Sequence, residues 1–278
     1  MCESLNVEKK IVKMIDNGII YQYDQIFITD IWLENPRIIQ NDPWLKDHIL
    51  LIDHHESALK VPNFEANSFM KVRIKDKNGR CSGTSLFYQY LLEKGNIKAT
   101  PALDRFVELT RLYDTWEWVT VKDEPAAASL TTLFNIVGPD NYIEMMLQKL
   151  LDNNLSFDFN TFENNLIAAK NKETQEKLKK YAEHIYIREV SGLKAGIAFV
   201  DFSLRNEFAQ YLRNINYPID FVMMVSLENR TITYRYINKE VKVLEIAELF
   251  GGKGHDYAAS SPIRKRKMNS LIDEILRK

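Results

Sequence analysis

The chain has 278 residues, 45% hydrophobic and 27% charged, which is typical of a globular protein of one or two domains. Its 37 basic and 38 acidic residues leave a net charge of −1, which excludes an overall basic field of the kind that coats long nucleic acids. No apolar stretch reaches the ~18 residues of a membrane span, so we expect no membrane partner. Cys2 and Cys81 suggest neither a disulfide framework nor a metal-binding pair, which favours a cytoplasmic location.

The first half of the chain has the pattern of a parallel β-sheet with crossover helices. A short amphipathic helix over 6–17 precedes an apolar run that ends at Asp30, and a second apolar run ends at Asp53, His54 and His55. The two runs lie about 25 residues apart, which predicts a parallel βαβ unit. Since parallel strands end at the same edge of a sheet, we expect Asp30 and His54 to lie close together.

Two further helices are predicted downstream of these strands. One begins at the small polar segment 82–85, which is open to the simpler interpretation of a cap and a turn. The other covers 103–113 and leads into an aromatic segment, 113–118, that contains Asp114. These aromatic residues either line a site or stack a nucleobase, and core packing is the simpler explanation for Trp118.

The pattern changes after a long helix predicted over 161–184, whose apolar stripe is sparse, as is typical of a helix between domains. Beyond it, strands are predicted over 195–200, 220–226 and 231–236, the last two joined by a tight turn. We therefore predict a larger domain, a helical linker and a smaller α/β domain, covering residues 1–160, 161–185 and 186–278.

Asp30, His54 and Asp114 form the first candidate site. Carboxylates and a neutral imidazole are good ligands for Mn²⁺ or a similar divalent ion, which activates water and neutralises phosphoryl oxygens. Each residue alone has a simpler explanation, namely a turn or cap for a carboxylate at a strand end and a satisfied core position for His54. The triplet from Asp53 to His55, placed directly after a buried strand, is more specific.

The glycine-rich turn predicted from Gly251 to His255 is the second candidate site. Backbone N–H groups at Gly252 and Gly254 would approach an anion closely, and His255 would add a donor to a phosphate oxygen. Capping of the preceding helix is the simpler explanation for Gly251.

Arginine side chains form the third candidate, because arginine binds phosphate in a bidentate fork. Arg235 is the preferred one, since it lies within a predicted strand near the glycine-rich turn. Most of the others are expected on the solvated surface: Arg205, Arg213, Arg230 and the basic run 264–267.

These motifs, in this order, resemble those of the DHH superfamily of phosphoesterases. Ile52-Asp53-His54-His55 resembles the family signature, and the segment 251–259 resembles the glycine-histidine motif of the C-terminal DHH-associated domain. Segments 27–30, 82–85 and 111–118 resemble motifs of the branch that contains nanoRNase B-type oligoribonucleases and related cyclic-nucleotide phosphodiesterases. The resemblance covers essentially the whole chain. It implies an α/β fold in which a parallel-sheet DHH domain and a smaller α/β domain, joined by a helical linker, enclose the active site in a cleft.

The resemblance also implies roles for individual residues around two Mn²⁺ ions. Asp30 would bridge the ions, and His54 and Asp114 would complete the second of the two sites. His55 would contact the phosphate or orient the nucleophile, and Asp53 would hold a histidine from behind. The far side of the phosphate or the nucleotide would be bound by Arg235, Gly252, Gly254 and His255.

One departure from the family pattern changes the expected activity. Family members begin with a strand followed by a His-x-Asp-x-Asp motif that supplies most of the first metal site, whereas no histidine precedes His48 in this chain. We therefore expect the chain to start roughly 35 residues late, about the length of one βαβ unit. With three remaining ligands, we expect at most one well-held ion and little or no activity.

The leading functional hypothesis is an Mn²⁺-dependent phosphodiester hydrolase that degrades short oligoribonucleotides to nucleoside 5′-monophosphates. A cyclic-nucleotide or cyclic-dinucleotide phosphodiesterase is one alternative, because the same centre serves both reactions. A catalytically impaired nucleotide-binding protein is the other. The expected partner is a short RNA or a small nucleotide, and a homodimer is left open.

Overall fold

The computed structural model describes residues 4–31, 33, 35–60, 68–152 and 154–264. The chain divides into two compact units, unit 1 up to Ala168 and unit 2 from Ala169. The basic residues 265–267 lie outside the described residues. Among the described helices, none combines the length and the apolar character that crossing a membrane requires.

A three-stranded parallel sheet forms the centre of unit 1. Its strands, in spatial order, are β1 (Ile26–Thr29), β2 (Ile49–Asp53) and β3 (Met70–Val72). Ile26 of β1 pairs with Ile49 of β2 in parallel register, which confirms the predicted βαβ unit. All five residues of β2 are buried, because this strand has a neighbour on each side.

Helices cover both faces of this sheet, since successive side chains of a strand point to opposite faces. Ile28 and Leu51 pack on one face against the helices that precede β2, whereas Phe27 and Ile52 pack on the other face, in a cluster with Leu86. The helices of unit 1 are α1 (Ser4–Asp16), α2 (Arg37–Gln40), α3 (Pro43–His48), α4 (Gly83–Glu93), α5 (Pro101–Asp114), α6 (Glu117–Thr120), α7 (Pro125–Val137) and α8 (Pro139–Asp152). A short hairpin of β4 (Lys75–Asp76) and β5 (Gly79–Arg80) precedes α4.

The start of α4 confirms the helix predicted at 82–85. The Ser82 hydroxyl accepts a hydrogen bond from the Ser85 backbone N–H at 3.1 Å, and the Ser85 hydroxyl accepts one from the Ser82 N–H at 2.9 Å. This reciprocal capping box satisfies two backbone donors. The helix start is therefore fixed next to the carboxyl edge of the sheet.

Unit 2 contains a mixed six-stranded sheet, entered through α9 (Thr161–Glu183), which crosses the division between the units. The strands are β6 (Tyr186–Val190), β7 (Leu193–Phe199), β8 (Phe221–Ser226), β9 (Thr231–Tyr236), β10 (Lys253–His255) and β11 (Ala258–Pro262), in the spatial order β10-β11-β9-β8-β7-β6. Two helices accompany them, α10 (Arg205–Asn214) and α11 (Val243–Leu249). The antiparallel pairing of β8 with β9 confirms the predicted hairpin.

The glycine-rich turn predicted for 251–255 is wrong in its second half. The turn after α11 consists of Phe250 and Gly251, Gly252 follows it, and the next three residues form β10, paired antiparallel with β11. A Cβ atom at Gly254 would lie 2.5 Å from the carbonyl oxygen of Ala258, so this glycine permits close packing of the hairpin. One at Gly252 would lie 2.5 Å from the Ser260 carbonyl oxygen. Both glycines thus have a packing reason independent of any ligand.

Candidate metal centre

Three predicted ligands meet at the carboxyl edge of the parallel sheet. His54 follows β2, Asp30 follows β1, and Asp114 is the last residue of α5. His54 Nε2 lies 2.9 Å from Asp30 Oδ1 and 3.1 Å from Asp114 Oδ2. The adjacency expected for Asp30 and His54 is therefore present, and a helix brings Asp114 to the same point.

The donor atoms have the arrangement of ligands around a cation. His54 Nε2 is buried and forms no well-aligned hydrogen bond with any described residue, although two carboxylate oxygens lie within 3.1 Å. Ligands of one octahedral divalent ion with bonds of about 2.1 Å lie about 3 Å apart, which is the separation of His54 Nε2 from each of the two carboxylate oxygens. The residues present therefore fit a hard or borderline divalent ion.

The protonation of His54 reflects the same arrangement. Burial lowers the pKa of His54, but the carboxylates of Asp114 and Asp30 outweigh it and raise the pKa to about 10. Without a metal ion, a proton on His54 thus offsets part of the negative charge of the two aspartates. A divalent ion bound there would replace this proton.

Asp53 and His55 form a second pair beside these ligands. Asp53 is fully buried, and its Oδ1 lies 2.7 Å from His55 Nδ1 and accepts a hydrogen bond from the His54 backbone N–H at 2.8 Å. This contact raises the pKa of His55, against the opposing effect of burial. Asp53 Oδ2 is buried without a hydrogen-bond partner among the described residues. One ligand atom from each of Asp30, Asp53, His54 and His55 lies within 4.8 Å of the others.

Gly83, at the start of α4, packs directly against Asp30. A Cβ atom at Gly83 would lie 2.5 Å from Asp30 Cβ and 2.8 Å from its Cα, so only glycine fits there. Asp30 itself has a φ of 64°, a left-handed conformation that aspartate adopts more readily than most residues. This role of Gly83 was not among the predictions from the sequence. The signal was a glycine between two capping serines, where capping does not require one.

Arg111 is a second positioning residue that the sequence analysis missed. Its guanidinium group is buried and donates to Glu108 Oε2 and Oε1 at 2.7 and 2.9 Å, to the Arg80 carbonyl oxygen at 2.8 Å, and to Glu117. These bonds join α5 to β5 and α6 one turn before Asp114. The spacing of Glu108 and Arg111, three residues apart on a predicted helix, was the available signal.

The aromatic segment beside Asp114 packs mainly into the core of unit 1. Tyr113 and Trp118 stack with ring centroids 6.2 Å apart and contact the cluster that contains Leu112 and Leu133. Core packing thus explains Trp118. Trp116 has a φ of 64° and its ring lies 5.8 Å from that of Trp118.

The remaining predicted site residues lie in unit 2. In the sheet register, His255 of β10, Ala258 of β11 and Arg235 of β9 form one row across three strands. Arg235 donates through Nε and Nη2 to Asn206 Oδ1 at 3.2 and 3.0 Å, and through Nη1 to the Tyr234 carbonyl oxygen at 2.9 Å. The side chain of His255 lies outside the described residues.

Positive charge gathers around Arg235. Burial, followed by the charges of Arg205 and Arg213, lowers the pKa of Arg235 to about 10. Arg205 stacks on Phe202 at 4.0 Å, and Arg213 donates to the Tyr236 carbonyl oxygen at 2.9 Å, so both have defined contacts and are more than solvated surface.

The chain was compared with known protein families and with characterised proteins. No family model matches the chain. It is 32% identical over 257 residues to oligoribonuclease NrnB of Bacillus subtilis (strain 168), a match that covers 91% of this chain and 63% of that protein. The chain thus spans less than two thirds of the length of this relative.

Two solved structures match the chain over most of its length, and the first of them is similar in fold. A DHH domain described as belonging to a member of a family of ribosomal proteins matches with a TM-score of 0.50 at 12% identity, covering 98% of this chain and 74% of that chain. An exopolyphosphatase-related protein from Bacteroides fragilis gives 0.46 at 14% identity, over 94% and 73% of the two chains.

The fold and the site together define an α/β protein with a candidate metal centre at the carboxyl edge of a parallel sheet, built on an Asp-His-His triplet. The chain is similar to the oligoribonuclease NrnB over 91% of its own length, and its fold is similar to that of a DHH domain.

Proposed function

We propose that this chain is a metal-dependent phosphodiester hydrolase, of low activity with the single ion that its three ligands hold, that acts on short oligoribonucleotides and releases nucleoside 5′-monophosphates, with Mn²⁺ as its cofactor. The observation that carries the proposal is the convergence of His54 Nε2 with carboxylate oxygens of Asp30 and Asp114 within 3.1 Å. The similarity to an oligoribonuclease supports the choice of substrate. We also propose a cytoplasmic location.

Each residue of the centre has a defined part in this chemistry. Asp30, His54 and Asp114 would hold one ion, which when bound supplies a Lewis acid and an activated water molecule. Asp53 holds Nδ1 of His55, so that Nε2 of His55 remains to hydrogen-bond a phosphate oxygen. Because Asp53 is fully buried, this orienting contact is weakly screened by solvent.

We assign further substrate contacts in unit 2 to Arg235 and His255, in the hairpin that Gly252 and Gly254 keep closely packed. The row formed by Arg235, Ala258 and His255 supports this assignment. So does Arg235 itself, whose hydrogen bonds within the described chain go to neutral oxygens of Asn206 and Tyr234 and leave its charge without a carboxylate partner.

The test combines metal content with substrate choice. Metal-free protein is supplied with Mn²⁺ and assayed on a five-nucleotide RNA and on a cyclic dinucleotide, with Asp30→Asn as the inactive control. Release of 5′-monophosphates from the RNA by the native chain alone supports the proposal. Hydrolysis of the cyclic substrate only would make the chain a cyclic-dinucleotide phosphodiesterase, and nucleotide binding without turnover would make it an impaired binding protein.

A further inference from the structure

A row of basic side chains lies along the segment that follows the third strand of unit 1. Between residues 71 and 77, every second side chain is exposed and basic, and the intervening ones are half-buried. We call these exposed residues the basic strip: Lys71, Arg73, Lys75 and Lys77. Lys71 lies in β3 and Lys75 in β4, and a bend at residue 74 and a turn at residue 77 interrupt the extended chain, so the strip follows the path from β3 to the β4–β5 hairpin.

The strip begins beside the candidate metal centre. Val72 of β3 pairs with Asp53 of β2, and the Arg73 N–H donates to the Asp53 carbonyl oxygen at 3.1 Å. Because β3 runs parallel to β2, the chain passes the carboxyl edge of the sheet immediately after Val72. Asp30 and His54 lie at this same edge, so the strip continues from the centre outward.

The segment that carries the strip is anchored at both ends. The Cys81 N–H donates to the Ile74 carbonyl oxygen at 2.9 Å, and the Arg80 N–H donates to Glu117 Oε1 at 3.1 Å. The Arg80 carbonyl oxygen in turn accepts from Arg111, the buried arginine near Asp114. A surface held in this way loses little conformational freedom when a ligand binds.

The charge of the strip is only partly offset within the described part of the chain, by Asp76, which lies between Lys75 and Lys77 and interacts electrostatically with Arg73. None of its four residues forms an ion pair with a described carboxylate; Arg73 donates to Gln89 at 3.4 Å, and Lys71 lies 5.0 Å from the Tyr90 ring centroid. Lys71, Arg73 and Glu93 share the lining of a surface hollow of about 390 Å³, and Glu93 is its one acid among described residues. The chain as a whole has a net charge of −1, so the excess of positive charge in the basic strip is a local feature.

We infer that the basic strip binds the phosphate backbone of a single-stranded oligonucleotide whose end occupies the metal centre. Four exposed cations in a row complement a polyanion with repeated charges, whereas a mononucleotide or a cyclic dinucleotide is too short to contact them all. The inference rests on the proposed function in one respect, namely that the end of the oligonucleotide is hydrolysed at the metal centre. It adds that substrate length, beyond the first two nucleotides, contributes to affinity.

Binding is measured without turnover, by fluorescence anisotropy of labelled eight-nucleotide RNA and DNA in the absence of Mn²⁺. Lys75→Gln with Lys77→Gln removes two exposed charges from the β4–β5 hairpin, and Lys9→Gln with Lys10→Gln removes two exposed charges from α1 as the matched control. We expect the strip variant to bind both oligonucleotides about fivefold more weakly at low salt, and its salt slope to fall by about 1.4, since each single-strand phosphate contact contributes about 0.7. Backbone contacts do not distinguish RNA from DNA, so both losses should be equal.

Hydrolysis separates this inference from the proposed function. With Mn²⁺ present, the strip variant should show a raised KM on the eight-nucleotide RNA, an unchanged kcat, and unchanged rates on a dinucleotide. Equal affinities of the strip variant and the native chain, or an equal loss in the α1 control, would overturn the inference. If the strip governs oligonucleotide binding but no RNA is hydrolysed, the inference stands and the proposed function fails. If RNA is hydrolysed and the strip variant behaves as the native chain, the proposed function stands and the inference fails.

Discussion

Two groups of charged side chains lie within one helical turn of each other at the end of α5, and they differ in how they are satisfied. In the group around Arg111, the buried guanidinium donates to Glu108, Glu117 and a backbone carbonyl, so its donors are paired. In the group around His54, the Nε2 atom has two carboxylates nearby and no well-aligned hydrogen bond among the described residues. A closed network holds structure, whereas a cluster that leaves buried polar atoms unsatisfied is suited to a cation.

We call the group of Arg111, Glu108 and Glu117 the closed network and the group of His54, Asp30 and Asp114 the open centre. Removing Arg111 tests whether the closed network supports the open centre. Arg111→Met leaves Glu108 and Glu117 without their common partner, and we expect the free energy of unfolding to fall by about 3 kcal/mol, the lower end for a broken buried pair. Glu108 is 30% exposed, so solvent relieves part of the cost. We also expect weaker Mn²⁺ binding, since Arg111 fixes the helical turn that carries Asp114. Urea unfolding and calorimetric Mn²⁺ titration measure the two effects.

Lys149→Met is the matched control, because Lys149 pairs with Glu163, which is 2% exposed, in an ion pair of the same unit that shares no residue with the group around Arg111. This variant should lose stability and keep its Mn²⁺ affinity. Similar loss of Mn²⁺ affinity in both variants would show that Arg111 acts through general stability alone.

His54→Gln breaks the open centre directly. We expect Mn²⁺ affinity to fall by more than about 100-fold, beyond the 10–100-fold typical of residues that only orient a ligand, and the metal-free variant to lose stability at pH 7, because the raised pKa of His54 stabilises the folded state below that pKa. His48→Gln is the control, since His48 stacks on Trp44 at 3.9 Å, and its Nδ1 lies 2.8 Å from the Trp44 carbonyl oxygen. Unchanged Mn²⁺ binding in His54→Gln would exclude this residue as a ligand.

Gly83→Ala alters the open centre without changing any charged residue. The new Cβ would displace Asp30, and we expect a loss of about 1–3 kcal/mol in stability from overpacking and of about tenfold in Mn²⁺ affinity. Gly95→Ala is the control: Gly95 has a φ of +70° and open space around it, so strain alone should cost about 1 kcal/mol. If Gly95→Ala lowers Mn²⁺ affinity as much, displacement of Asp30 is not the cause.

Sequence reasoning predicted the open centre better than the closed network, for a physical reason. Asp30 and His54 follow apolar runs whose parallel pairing depends on burial pattern, which the sequence displays directly. Arg111 reaches the Arg80 carbonyl oxygen across 31 residues, a tertiary contact that no local pattern specifies. For the same reason the segment 251–255 was interpreted as an anion-binding turn: the hairpin that demands glycine at 252 and 254 forms only when β10 and β11 pair. The alternation of basic residues from 71 to 77 was visible in the sequence, but its position beside Asp53 required the register of β3.

The smallest expected effect concerns the pH dependence of the closed network. Burial raises the pKa of Glu108, but hydrogen bonds from Arg111 and Lys122 outweigh it, so that the folded-state pKa lies below its ordinary value of 4.5. A carboxyl group with a lowered pKa contributes stability above its unfolded pKa and loses it as the pH falls through the folded pKa. Glu108→Gln should therefore be less stable than the native chain at pH 7, by less than about 1 kcal/mol because Glu108 is partly exposed, and the difference should disappear towards pH 3.

Urea unfolding at pH 7, 5 and 3 measures this difference. Glu144→Gln on α8 is the control, since Glu144 is exposed and forms no hydrogen bond or ion pair with a described residue. A stability difference for Glu108→Gln that persists unchanged at pH 3 would mean that Glu108 acts through packing, and that the network around Arg111 is not held by the charge of this carboxylate.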